Sequence, residues 1–403
     1  GQKAEAFKIR FKGSEHKFIV ELKDTGSVIS PYVGNKAAFL GELMETSLER
    51  NVLPGFILTS IGVRKIIEEN RDKIEQINEI CKSSTSDKAL SIKEVLDIAS
   101  GLAYPDDIKG KIIKEYHALE RSVTTEKKVQ EFHRLAGMVN LNQKKLDAAT
   151  SALRESKDFY AVPLGKSIPL MGLDVRDEEL ILDMYRKQGG AFVVVRSSSI
   201  LEDTHEEMMA GRFKSYPYIR GAQLLLEHIL RCLAYYWVEI KEVNDEQPVF
   251  IHQQMEADVS MVINSINMVE EKWDEVIINS ARGAGAGLVS AMVDSDLYFV
   301  DANHFSVKRV INSIKKTKCI FDEKIGYGVK NVSIDDKDEQ ANPSLSEEEA
   351  SGIAKLARDI HKYFHYPVDI EAVKNNNKVY VVQVRPIVLP SAVSDDNEER
   401  KVR

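Results

Sequence analysis

Between Pro367 and Pro386, two runs of alternating polar and apolar residues flank Asn375, Asn376 and Asn377. Asparagine tolerates the left-handed backbone that tight turns require, so the stretch reads as a β-hairpin. With a three-residue loop, Asp369 lies opposite Gln383 and Glu371 opposite Val381. Period-two alternation then gathers Asp369, Glu371, Gln383 and Arg385 on one face. Val368, Ile370, Ala372, Tyr380, Val382 and Val384 fall on the other, and all can pack in a core. Two carboxylates, an amide oxygen and a guanidinium on one face would suit a Mg²⁺ ion bridging polyphosphate oxygens. A solvent-facing hairpin with a cross-strand salt bridge is the competing reading, and spacing alone does not decide.

Two further segments carry phosphate-binding residue types. In Val193–Asp203 an apolar strand runs into Arg196, three serines and two acids. A guanidinium at a strand end can fork onto phosphate oxygens, with serine hydroxyls as neutral donors; a strand end followed by a capped turn is the plainer alternative. In Val33–Leu43 a glycine turn and Lys36 open a helix, where an ammonium and a helix N-terminus could meet a phosphate. The stretch Gly283-Ala-Gly-Ala-Gly287 adds three closely spaced glycines, Gly283, Gly285 and Gly287. It is no dinucleotide fingerprint, because Leu288–Val293 leads into a strand-like run at Leu297–Val300 and no helix opens at the third glycine. The glycines are expected to let the backbone pass close to a ligand between two strands.

The elements that must position these groups follow from pattern. Phe7–Lys12 and Phe18–Leu22 read as a hairpin around Gly13 and Ser14. From about 61 to 160 the texture is helical; Pro105–Leu119 has two acids in its first turn and Ile108, Ile112, Tyr116 and Leu119 on one stripe. Polar residues 121–157 continue as helix. After Gly189 and Gly190 the pattern turns to short β segments at 191–195, 248–251, 275–278, 297–300 and 378–384. The expected division is therefore 1–190, carrying a helical insertion at about 121–190, then 191–390, then a charged linker or tail at 391–403.

At 403 residues with 43% hydrophobic residues the chain can bury a large core, and its net charge of −8 argues against nucleic acid as a partner. The basic run Ile314–Lys318 reads as a solvated face. Cys81, Cys232 and Cys319 lack any CxxC spacing, which suggests neither disulfides nor zinc and fits a reducing cytoplasm. No apolar run approaches the roughly 18 residues a membrane span needs.

Taken in order, these segments resemble the ATP-binding domain shared by phosphoenolpyruvate synthase, pyruvate phosphate dikinase and rifampin phosphotransferase. The matching pieces are Gly34–Leu43, Leu53–Thr59, the helix from Pro105, Val195–Asp203 with Ala210–Phe213, Gln253–Met255, Asp369–Glu371 and Gln383–Ile387. The resemblance implies an α+β, ATP-grasp fold, with a helix-rich N-terminal part, a mixed or antiparallel β-rich part and ATP between them. It implies that Lys36 and Arg196 hold ATP phosphates, that Glu371 and Gln383 ligate Mg²⁺ beside Asp369, and that Arg385 neutralises the transferring group. Gln253 and Met255 match a segment near the adenine. In this family ATP gives a pyrophosphoryl group to a histidine on a separate domain or subunit, AMP leaves, and a small molecule is the final phosphoryl acceptor.

The sequence departs from the family pattern in three places. None of its nine histidines has the glycine-rich surroundings of the family's carrier histidine; His205, near the proposed phosphate loop, suits a surface or capping role. Residues 121–190 separate pieces that lie closer in the relatives. The family's Gly-Leu-Gly-Glu aligns with Gly283–Ala286, so Ala286 replaces a carboxylate, a task that Asp294 or Asp296 could take over. Besides the dikinase-type reaction, the sequence therefore leaves open a kinase or ligase acting on a small molecule and a nucleotide-binding regulatory module with impaired catalysis.

Overall fold

The computed structural model describes residues 17–83, 88–119, 133, 147, 191–199, 214–289 and 293–387. The hairpin expected around Gly13 lies outside these residues except for its second strand, as do most of 121–190, His205 and the tail.

Two antiparallel sheets dominate. The first has strand order β1-β2-β5-β3-β4, from β1 (Ile19–Glu21), β2 (Gly55–Leu58), β3 (Val193–Ser197), β4 (Ser215–Ile219) and β5 (Val249–Gln253). Strands from both sides of residue 190 thus share one sheet, and the chain leaves it after Gln253. The second has the order β13-β12-β6-β7-β8-β9, from β6 (Val259–Asn264), β7 (Glu275–Arg282), β8 (Asp296–Asp301), β9 (Val307–Ile311), β12 (Val368–Asn375) and β13 (Lys378–Pro386). A separate ribbon, β10 (Thr317–Phe321) with β11 (Val329–Ser333), completes the strands. The described residues thus form an α+β fold, helix-rich toward the N-terminus and β-rich after it.

The helices that matter here are α1 (Asn35–Leu43), α2 (Ser60–Glu69), α3 (Arg71–Ser83), α4 (Lys88–Ala99), α5 (Asp106–Leu119), α6 (Ala222–Ile240), the single turn α7 (Gly285–Val289) and α8 (Glu347–Phe364). Helix α5 buries the expected stripe of Ile108, Ile112, Tyr116 and Leu119. Helices α6 and α8, later in the chain, were not anticipated among the β segments. Helix α6 is apolar on most sides and buries Trp237 and Tyr236 under the first sheet, which hides the amphipathic period. Helix α8 opens with a reciprocal capping box between Ser346 and Glu349, a signal that was legible in the sequence.

Each sheet has a greasy side. Val193, Val195, Val249 and Ile251 face helices α2 to α6, while Ile57 and Phe250 turn the other way toward α1. On the second sheet Val368, Ile370, Ala372, Met261, Ile263, Val276 and Ile278 pack under α8 through Ile353, Ala357 and Ile360. Each of the larger side chains among these contributes about 1.5–3 kcal/mol of burial.

The basic run at Ile314–Lys318 is exposed or half-exposed, as its composition suggests, except at Lys315. Lys315 is fully buried, and its Nζ donates to Asp296 Oδ1 at 2.8 Å, Asn312 Oδ1 at 2.9 Å and the Ser313 carbonyl at 2.8 Å. Three donors thus have three acceptors, which is what makes a buried ammonium tolerable.

Candidate functional site between the two sheets

The hairpin of β12 and β13 forms as expected but in a different register. Its turn has two residues, Asn376 and Asn377, because Asn375 pairs with Lys378; Asn376 takes the left-handed conformation with φ 52°. Asp369 therefore lies opposite Arg385, and Glu371 opposite Gln383, with a bulge between Glu371 and Ala372. The bulge inverts the alternation toward the tip, so Val381 and Val384 enter the core rather than Val382, and Tyr380 pairs with Val373 away from α8. The shorter turn and the bulge offset each other. Asp369, Glu371, Gln383 and Arg385 still share the face turned away from α8.

Arg196, on β3, reaches across from the first sheet. Its guanidinium donates to Gln383 Oε1 and, at 3.2 Å, to the Val382 carbonyl. Helix α1 packs against β13, and its first turn is pinned to the end of β3, where the Ala37 amide donates to Ser198 Oγ at 3.2 Å. Gly34 makes this approach possible. Its φ is +77°, and a Cβ there would overlap the Ser198 carbonyl. Gly34→Ala is therefore expected to cost about 3 kcal/mol in a urea melt, with a loss below 1 kcal/mol contradicting the packing argument. The three segments that carry Lys36, Arg196 and the hairpin carboxylates thus converge where the two sheets meet.

The remaining expected residues lie farther out. Gln253, buried at the end of β5, pairs with Val193, and Met255 follows it; this is the end of β3 away from Arg196, about 10 Å along the strand. Two of the glycines in the glycine stretch are required by packing within the chain. Gly283, at φ +84°, meets the backbone of Cys319 on β10, where any Cβ would overlap the carbonyl, and Gly287 packs on the Cys319 side chain. Only Gly285 has room, with its Cβ position 3.6 Å from that of Ser260. A helical turn, α7, runs through the third glycine, where the sequence reading expected no helix, and carries Ala286 on its exposed side. Nor can Asp296 replace the missing carboxylate. It is buried on the α8 side of β8, where it binds Lys315 and accepts from the Ser313 and Ser344 amides at 2.9 and 2.7 Å. Asp294 is exposed and accepts from the Lys316 amide at 3.3 Å.

The structure adds polar groups that sequence reasoning missed. In register across the second sheet, Gln383 and Glu371 continue through Val262 to Asn279, while Arg385 and Asp369 continue to Asn264. Ser260 lies one position along β6 on the same face. The signal was a polar residue at every second or fourth position of otherwise apolar strands. Asn279 Oδ1, Ser260 Oγ, Asp369 Oδ1 and Arg196 Nε are all buried without a hydrogen-bond partner. Buried polar atoms are normally satisfied, so these four, on the facing surfaces of the two sheets, make this the candidate place for a polar ligand.

Electrostatics agree. Burial raises Asp369 above the usual carboxylate range, against the pull of Arg385, whose Nε donates to Asp369 Oδ2 at 2.5 Å; Glu371 adds to the rise. A further cation would favour its charged form. Among the described residues no three His, Cys, Asp or Glu side chains converge; the face of the hairpin offers two carboxylates, Asp369 and Glu371, and the Gln383 amide oxygen, which accepts from Arg196. Few, hard oxygen donors fit Mg²⁺, which retains waters and phosphate oxygens.

Behind Arg196, His252 is held neutral. Burial, with Arg196 nearby, pushes it down to about 3, although its Nδ1 lies 2.9 Å from the Gln253 carbonyl. A histidine whose folded pKa lies below its unfolded value of about 6.5 contributes stability above that value and loses it as pH falls. Acidification from pH 7 to pH 5 should cost about 2 kcal/mol through this group. His228 and His361 are also lowered by burial and push the same way. Urea melts at the two pH values, with and without His252→Phe, measure this contribution; an unchanged pH difference in the variant would contradict it.

Residues 174–403 match the family described as pyruvate phosphate dikinase, AMP/ATP-binding domain. A probable phosphoenolpyruvate synthase of Methanocaldococcus jannaschii is 24% identical over 405 residues, covering 97% of this chain and 28% of that protein. The phosphoenolpyruvate synthase of Pyrococcus furiosus is 25% identical over 95% of this chain and 45% of its own length. The rifampicin phosphotransferase of Bacillus subtilis is 28% identical over 50% of this chain and 24% of its own. The chain spans less than half the length of each. With more than half of its residues matched, the chain belongs to the pyruvate phosphate dikinase AMP/ATP-binding domain family.

Proposed function

We propose that the chain is an ATP-grasp module that binds ATP with Mg²⁺ and transfers a pyrophosphoryl group to a histidine on a partner domain or subunit, releasing AMP. The observation that carries the reading is the set of buried polar atoms without hydrogen-bond partners: Asn279 Oδ1, Ser260 Oγ and Asp369 Oδ1 on the sheet face that bears Glu371 and Gln383, and Arg196 Nε, which reaches that face from the first sheet. Asp369, Glu371 and Gln383 would hold the metal, which when bound neutralises charge on the β and γ phosphate oxygens.

The chain's own groups do the rest. Arg196, Lys36 and the first turn of α1 fix the phosphates, because a guanidinium, an ammonium and the positive end of a helix dipole each favour negative charge. Arg385, oriented by Asp369, places a permanent positive charge where phosphoryl charge develops. The apolar backing of both sheets keeps these charges fixed and poorly hydrated, which strengthens them. Gln253 and Met255 would lie toward the base. The phosphoryl acceptor beyond the histidine is a small molecule, as the names of the relatives suggest.

Ala286 and the engaged Asp296 favour one second reading, a nucleotide-binding module with weak or no turnover. Incubation with Mg²⁺, ATP and a candidate histidine-bearing partner separates the outcomes by nucleotide product. AMP is the expected one. ADP would point to a simple kinase, and saturable ATP binding without product would favour the second reading.

A further inference from the structure

A separate cavity of about 650 Å³ opens on the α8 side of the second sheet, at the tip of the hairpin. Leu48, Ile353, Leu356 and Val379 form its apolar floor, Arg50 and Lys355 stand at its exposed rim, and Lys378 adjoins it at the hairpin tip with its ammonium turned to the face away from α8. The ion pair of Lys374 with Glu349, at 2.5 Å, closes one wall. Asp359 is the one other acid in the lining. Among the described residues neither Arg50 nor Lys355 forms an ion pair, and the Lys378 ammonium lies 4.8 Å from the centre of the Tyr380 ring. This cavity is not the site described above: Lys374 and Val379 face α8, whereas Glu371 and Gln383 face away from it.

We propose that this cavity binds a small organic anion, a carboxylate or phosphate ester on an apolar body. Its volume falls within the range of small-molecule sites. The floor would bury an apolar body, and Arg50 supplies a planar fork suited to carboxylate or phosphate. Cations outnumber acids at the rim, which selects against a neutral or positive ligand. Occupancy would join three elements: α8, the 47–51 segment and the hairpin, which Asn51 already touches through its amide at 2.8 Å from the Val379 carbonyl. The inference does not depend on the nucleotide reading.

The full chain is titrated with 1-anilinonaphthalene-8-sulfonate, followed by fluorescence, and with its uncharged analogue N-phenyl-1-naphthylamine. Gly352 lines the cavity, and a Cβ there meets nothing within 4 Å, so Gly352→Leu should fill the space without strain and with better helix propensity. Expected are saturable one-to-one binding of the sulfonate, at least about tenfold weaker binding in Gly352→Leu and in the double variant R50E/K355E, and no change in Glu371→Gln. Equal binding of the two probes, absence of saturable sulfonate binding, or unchanged affinity in a Gly352→Leu protein that melts like the parent would each overturn the proposal.

Discussion

Replacing Glu371 by Gln is expected to lower ATP turnover by about a thousandfold, the scale on which enzymes lose rate when a fixed electrostatic contact to the transition state is removed. The substitution keeps size and hydrogen-bonding capacity but removes the charge. Glu371 is half-buried on β12, directly opposite Gln383 and one register step from Asp369 and Arg385. Its backbone bonds to β13 and β6 do not depend on the side chain, and the apolar side of the hairpin is untouched. Stability should accordingly move by no more than about 0.5 kcal/mol. Initial rates across a Mg²⁺ titration, beside urea melts, test both halves. Activity within threefold of the parent at saturating Mg²⁺ would remove Glu371 from the metal site, and a large loss of stability would reassign it to the fold.

The largest structural effect belongs to Lys315. Lys315→Met should destabilise the chain by about 3–5 kcal/mol, because it leaves Asp296 charged and buried without its cation. Burial would raise the Asp296 pKa, but the bonds from Lys315, Ser313 and Ser344 outweigh it and hold the carboxyl low. A buried pair is often worth little more than apolar residues of the same shape. Lys315→Met combined with Asp296→Leu should therefore recover part of the loss. Denaturant midpoints of the parent, the single and the double variants give the answer, and a single-variant loss under 1 kcal/mol would show that water reaches Asp296.

The site was legible in the sequence to the extent that its residues sit on locally patterned elements. Asp369, Glu371, Gln383 and Arg385 share a face because strand alternation is local, and a turn of either length leaves them together once the bulge is included. The bulge itself was not legible: nothing in Val381-Val-Gln marks which valine loses its partner. Arg196 and α1 could be placed on their own elements, but their meeting depends on Gly34 touching Ser198, a contact between residues far apart in sequence. Asn279, Ser260 and Asn264 escaped notice because their role depends on strand order in the second sheet. Lys315 was misread because composition cannot distinguish a solvated lysine from one that a single buried aspartate holds inside. Helix α6 was missed because a helix buried on most sides loses its amphipathic signature.

Asp258 joins two loops that the chemistry keeps apart. Its carbonyl accepts from the Gly283 amide at 3.0 Å, its own amide donates to the Lys374 carbonyl at 2.8 Å, and its carboxylate accepts from the Asn376 amide at 2.6 Å. The glycine stretch and the hairpin tip therefore surrender their conformational freedom to the same residue. Local opening of either releases hydrogen bonds of the other, which makes the two loops one cooperative unit of unfolding. Gly283 and the end of the strand that carries Asp369 and Glu371 are thus tied to one another through a single residue, by three hydrogen bonds.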